Sequence, residues 1–176
     1  MQWYDTLFEV IDMRSFSNLW YWIGLAVLWS TTSHWVLGVP FDMVTRARRA
    51  GGTLSTDMET LAHINVNRLL YIARTAGTWL VGIIAFFLVM LGILGFVYDI
   101  EFAQAVLFMA APMTLVGYVS YRTALAVAAE DSRGAALVRR ITRCRMVVQV
   151  IGMFSILLTS MFGMWQNLNT LTFPGY

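Results

Sequence analysis

The chain has no lysine, one cysteine, three prolines and few charges of either sign. Each scarcity excludes something. Charged residues make up only 12% of the 176, against 59% hydrophobic, which is not the composition of a soluble domain; the excess apolar surface must face lipid. A single cysteine, Cys144, rules out an internal disulfide and cannot by itself hold a metal or an iron–sulfur cluster. The missing lysine fits a GC-rich genome, and lysine would have served orientation equally well, so no function is placed on it. A net charge of +2 is too small to argue for nucleic acid. The amino terminus lacks the basic region and cleavage site of a secretory signal, carrying Asp5, Glu9 and Asp12 ahead of any long apolar run. Nor is there a glycine-rich phosphate loop, a nucleophile beside a base, or a helix-borne pair of metal-ligand histidines, so nothing argues for an enzyme.

What is present is apolar sequence in four blocks, giving a mean hydropathy of +0.66. Each block reaches the roughly 20 residues that span a hydrocarbon core. The expected fold is all-α: one domain, residues 1–176, with four transmembrane helices over about 19–39, 75–98, 102–121 and 146–165. An amphipathic helix precedes them, with Trp3, Tyr4, Leu7, Phe8 and Ile11 on one face and Asp5, Glu9 and Asp12 on the other. Its acidic wet face suits the non-cytoplasmic leaflet or a protein partner, since helices on anionic lipid favour basic residues. Ser15 to Asn18 can cap the first span; Trp20, Tyr21, Trp22 and Trp35 form its aromatic belts, and Pro40 stops it. Segment 41–74 reads as a loop around Gly51 and Gly52 followed by a helix, with Thr56 and Glu59 matching a capping box and Met58, Leu61, Ile64 and Leu69 forming a stripe. Asp99, Ile100 and Glu101 make a tight hairpin, and Pro112 should kink the third span unless neighbours hold it straight. Segment 122–145 turns near Asp131 to Gly134, and the tail from Gln166 should be irregular.

Orientation follows from the arginines. Segment 41–74 holds Arg46, Arg48, Arg49, Arg68 and Arg74, and segment 122–145 holds Arg122, Arg133, Arg139, Arg140, Arg143 and Arg145. Only Arg14 lies on the other side. By the positive-inside rule these two segments are cytoplasmic, and an even number of spans puts both termini opposite.

His34, after four hydroxyl residues near the cytoplasmic end of the first span, is the one candidate cofactor ligand. Haem or a metal held there would want a second ligand, and only His63 remains; the other reading is a neutral histidine hydrogen-bonded within the bundle or to a neighbouring subunit. Small residues mark two helix-packing seams, Thr78, Gly82, Ala85 and Gly92 on the second span and Gly152, Ser155, Thr159 and Gly163 on the fourth. Packing inside this chain's own bundle accounts for both, with an oligomer interface as the other possibility. Arg139, Arg140, Arg143 and Arg145 suit anionic lipid headgroups or an acidic protein, each contributing about 1 kcal/mol near a charged surface; topogenic charge explains them too. Trp3, Asp5, Glu9 and Asp12 are the matching contact residues at the amino terminus.

The stretches EVIDMRSFSNLWYW, from Glu9, and SHWVLGVPFDM, from Ser33, resemble a family of small alphaproteobacterial inner-membrane proteins described as components of the SufBCD complex. The resemblance covers mainly the first third of the chain. It implies a bacterial inner membrane and an association with iron–sulfur assembly, although one cysteine argues against a scaffold role. The expected function is a non-enzymatic accessory or assembly subunit of a larger membrane complex, with lipid and other integral membrane subunits as partners, no nucleic acid and no cofactor. One alternative is a small redox protein holding haem or a quinone at His34. The other is a transporter or channel, against which stand the charge-free midplane regions and the lack of helix breakers other than Pro112.

Overall fold

The computed structural model describes Phe16 and residues 18–172, with side chains placed as far as Leu168. The expected amino-terminal amphipathic helix, with Trp3, Asp5, Glu9 and Asp12, lies outside the described residues. The architecture is all-α. Helix α1 is Leu19–His34, capped by the Asn18 side chain, which accepts from the Trp20 amide at 3.0 Å. A two-residue ribbon follows, β1 (Trp35–Val36) paired antiparallel with β2 (Val39–Pro40). Then come α2 (Phe41–Ala50), α3 (Gly52–Phe96), α4 (Glu101–Ala129) and α5 (Gly134–Thr172).

The ribbon replaces the last turn expected of the first span, which ends at His34 and not near Val39. Leu37 and Gly38 both sit at positive φ, 53° and 71°, as a two-residue type I′ hairpin turn requires. Gly38 is needed twice over, because a β-carbon there would also lie 2.9 Å from the Asn65 amide, whose nitrogen donates to the Gly38 carbonyl at 3.0 Å. Val36 and Val39 bury their side chains. An apolar run that looks like more helix is therefore a hairpin held against α3.

The arginine-bearing connection is more helical than expected. Asp42 in the first turn of α2 and Arg48 and Arg49 in the last complement its dipole. The chain breaks only at Gly51 and Gly52, both at positive φ, and α3 then runs unbroken for 45 residues. The expected capping box is absent: Thr56 is already inside α3, its hydroxyl reaching back to the Gly52 carbonyl. Glu59 instead crosses to another element and accepts from the Gly134 amide at 3.0 Å, capping α5. The buried stripe of this half of α3 is Met58, Ala62, Val66 and Leu70; Ile64, expected on it from helical spacing, is 58% exposed. At the far end, α5 continues through Thr172, so the part of the tail from Gln166 to Thr172 is helical and not irregular.

Three helices, α3, α4 and α5, are long and apolar enough to cross a membrane. At 1.5 Å per residue, the 45 residues of α3 extend about 68 Å, more than twice a hydrocarbon core of about 30 Å. The excess is its polar first half. There Val44 and Ala47 of α2, the α3 stripe, Ala124 and Val127 of α4 and Leu137 and Ile141 of α5 close into a core.

Candidate functional site

The polar end of α1 is where the sequence places its one candidate ligand. Thr32 donates to the Leu28 carbonyl at 2.7 Å and Ser33 to that of Ser30 at 3.1 Å, so these hydroxyls are satisfied by their own helix. His34 is half-exposed, and its Nε2 stands 3.8 Å from Asp42 Oδ1, an ion-pair distance only when the imidazole is protonated. Asp42 is already paired with Arg46 one turn along α2. Arg145 closes the arrangement, its Nε donating to the Ser33 carbonyl at 3.2 Å and its guanidinium stacking 3.7 Å above the Phe41 ring. A cleft of about 400 Å³ results, lined by Ser30, Thr31, Ser33, His34, Trp35 and Arg145. His63 does not line it; its Nε2 is buried on α3 without a partner. Among the described residues no group of three His, Cys, Asp or Glu side chains is placed to hold a metal ion. The cleft offers one imidazole, a guanidinium and hydroxyls, a polar surface without a nucleophile–base pair.

The two small-residue seams separate sharply. On α5, Gly152, Ser155, Thr159 and Gly163 are all buried. A β-carbon on Gly152 would lie 2.8 Å from the Trp29 ring, and one on Gly163 would lie 3.3 Å from Phe16. Ser155 has a more specific partner. Pro112 has no amide to give the Phe108 carbonyl four residues earlier, and Ser155 donates to that carbonyl at 3.4 Å. On α3 the seam does not face the bundle: Thr78, Gly82 and Ala85 are exposed, and a β-carbon on Gly82 or Gly92 would meet nothing within 4 Å. Only 6% of the most apolar stretch of α3 is buried. Thr78 and Gly82 instead floor an open groove walled by Trp79, Ile83, Phe86 and Phe87. Helical spacing is the same in both seams; which side meets a neighbour depends on how α3 is rotated in its hairpin with α4.

That rotation is set by contacts that helical spacing does not reveal. Gln104, 2% exposed, donates to the Gly95 carbonyl at 2.7 Å and to Asp99 at 3.1 Å, tying α4 to the end of α3. Glu101 accepts from the Phe16 amide at 2.8 Å, and Trp22 donates to the Phe16 carbonyl at 3.0 Å. The Phe16 ring is buried among Tyr21, Phe108 and Phe162. A polar residue beside a tight hairpin was the only available signal for Gln104.

The basic run at the start of α5 is likewise divided. Arg140 pairs with Glu130 and Arg145 with Ser33 and Phe41, whereas Arg139 and Arg143 line a separate cleft. Comparison with protein-family models, curated proteins and solved structures finds no match to this chain. The class is thus defined by the fold alone: a helical protein in which, among the described residues, three helices are long and apolar enough to cross a membrane.

Proposed function

We propose that the chain is a non-enzymatic integral protein of a bacterial inner membrane, crossing it four times with both termini periplasmic, and that it serves as an accessory or assembly subunit of a larger membrane complex. The observation that carries the subunit role is the outward seam of α3. Thr78, Gly82 and Ala85 have the small-residue spacing of a helix–helix contact, yet among the described residues no helix covers them. Flanking aromatic side chains wall the groove, which suits a transmembrane helix of another protein better than mobile acyl chains.

The fourth crossing is assigned to α1. Its 16 residues measure only about 24 Å, but its contacts follow α5 over a greater depth. Phe16 lies against Gly163, Trp29 against Gly152 and Ser33 against Arg145. Gly163 and Arg145 are 18 residues apart, about 27 Å along α5, close to a hydrocarbon thickness. The resemblance of the first third to components of the SufBCD complex supports iron–sulfur assembly as the pathway.

Extraction of native membranes in mild detergent, followed by purification on a carboxyl-terminal tag, tests the proposal. The expected eluate contains a membrane complex in stoichiometric amount. Recovery of the chain alone, with a Soret band in its absorption spectrum, would overturn the subunit role in favour of haem at His34. For orientation, a reporter active only in the periplasm should work when fused after Tyr176 and be silent in the Gly51 loop.

A further inference from the structure

The cleft that takes Arg139 and Arg143 has a volume of about 770 Å³, within the range of small-molecule sites. Three helices build it: Arg48 comes from the last turn of α2, Ser55 from the first turns of α3, and Arg139, Thr142 and Arg143 from α5. Arg46, Arg133 and Arg140 each have a carboxylate partner, whereas Arg48, Arg139 and Arg143 have none among the described residues. Three unpaired guanidiniums therefore share one concavity whose lining contains no acid. Glu59 reaches its edge, where the carboxylate is taken up by two lining residues, accepting from Ser55 at 3.2 Å and from the Gly134 amide at 3.0 Å, and pairs with none of the three arginines. That amide is thus occupied.

The second observation is what continues from the cleft. On α5 the residues Arg139, Arg143, Met146, Val150, Met153 and Leu157 recur at intervals of three and four, one face of a helix. The last four are 61%, 48%, 63% and 55% exposed, an unbroken apolar stripe leading from the cleft into the span. Met146 lies only three positions, about 4.5 Å of helix, beyond Arg143. Anion recognition passes directly into hydrocarbon contact. A soluble phosphate compound or an acidic peptide would match the arginines and leave the stripe unused.

We propose that this cleft binds the phosphodiester headgroup of an anionic membrane phospholipid, with Arg48, Arg139 and Arg143 around the phosphate and one acyl chain along Met146, Val150, Met153 and Leu157. The site rests on the membrane placement proposed above. Alkaline carbonate extraction of the native membranes is therefore done first, since release of the chain into the supernatant overturns both readings at once. A chain that stays is purified at full length in neutral detergent and titrated with phosphatidylglycerol or phosphatidylcholine, adducts being counted by native mass spectrometry. Phosphatidylglycerol should be retained preferentially. Arg139→Gln with Arg143→Gln should cut that preference by roughly thirtyfold, as expected for two arginines near an anionic headgroup. Arg68→Gln with Arg74→Gln removes equal charge elsewhere and should leave the preference intact. Arg48→Gln, at an exposed position, should give an intermediate loss in a chain that elutes as wild type, which separates lost binding from misfolding. No preference in the wild type, or equal losses in the two double variants, overturns the site. So does displacement of the lipid by glycerol phosphate at equal concentration, which would make a free phosphate compound the ligand.

Discussion

A methyl group has very different prospects at three glycines of this chain. At Gly152 it would meet the Trp29 ring at 2.8 Å, and at Gly95 it would meet Gln104 Cγ at 2.9 Å and the Gln104 backbone nitrogen at 3.1 Å. At Gly82 it would meet nothing within 4 Å. Overpacking of a tight contact costs about 1–3 kcal/mol, so Gly152→Ala and Gly95→Ala should lower the thermal midpoint of the detergent-solubilised protein. Gly95→Ala should be the worse of the two, because backbone cannot swing aside as a ring can. Gly82→Ala should be neutral or stabilise by up to about 1 kcal/mol, since alanine is the better helix former. A midpoint for Gly82→Ala as low as that of Gly152→Ala would mean that α3 turns this face inward. In the sequence these glycines look alike: spacing reveals that small residues share a face, but not which neighbour the face meets. Gln104 was silent for a related reason. Its amide matters only because the hairpin folds it back onto a carbonyl nine residues earlier.

At the scale of elements, the long helices were legible because an apolar run of some 20 residues has few fates other than a buried or membrane helix. The ribbon after His34 was not, since Trp35 to Val39 is as apolar as the helix before it and only the left-handed turn at Leu37 and Gly38 distinguishes the two. The expected capping box at Thr56 and Glu59 fails for a physical reason as well. A hydroxyl three residues before a glutamate satisfies the local capping pattern, yet Glu59 spends its carboxylate on a helix 75 residues away. Glu59→Ala should therefore destabilise the arginine-rich end by about 0.5–2 kcal/mol, the usual worth of a cap. Hydrogen exchange should rise in the first turns of α5 and not at the start of α3; faster exchange at Ser55 to Asp57 alone would restore the local box. The outward seam of α3 carries its own test. Gly82→Leu with Ala85→Leu should leave the stability of the chain within about 0.5 kcal/mol of wild type, as surface changes do, while removing the co-purifying complex. Unchanged recovery of the complex would take the partner off this face.

The molecule as a whole has two differently built halves. Around the arginine-rich end, Met58, Ala62 and Val66 pack against Val127, Leu137 and Ile141, all buried, as in a water-soluble bundle. Towards the Asp99 hairpin the helices keep most of their apolar surface outside, which in water would be untenable and in lipid costs nothing, because acyl chains are as apolar as leucine. By length and composition α3, α4 and α5 are fit to cross a bilayer, and α1 is the element whose crossing decides the proposed topology. If α1 crosses, residues before Asn18 share a side with Asp99; if it does not, they share a side with Gly51. Single cysteines separate these cases once the buried Cys144 is replaced by alanine. In intact cells a membrane-impermeant maleimide should label Asp99→Cys and should label Gly51→Cys only after permeabilisation. Labelling of Gln2→Cys before permeabilisation establishes four crossings. If Gln2→Cys instead behaves like Gly51→Cys while Asp99→Cys still reacts, α1 stays on the arginine side, and its contacts from Gly163 to Arg145 along α5 must then form by a helix that enters the bilayer and does not leave it.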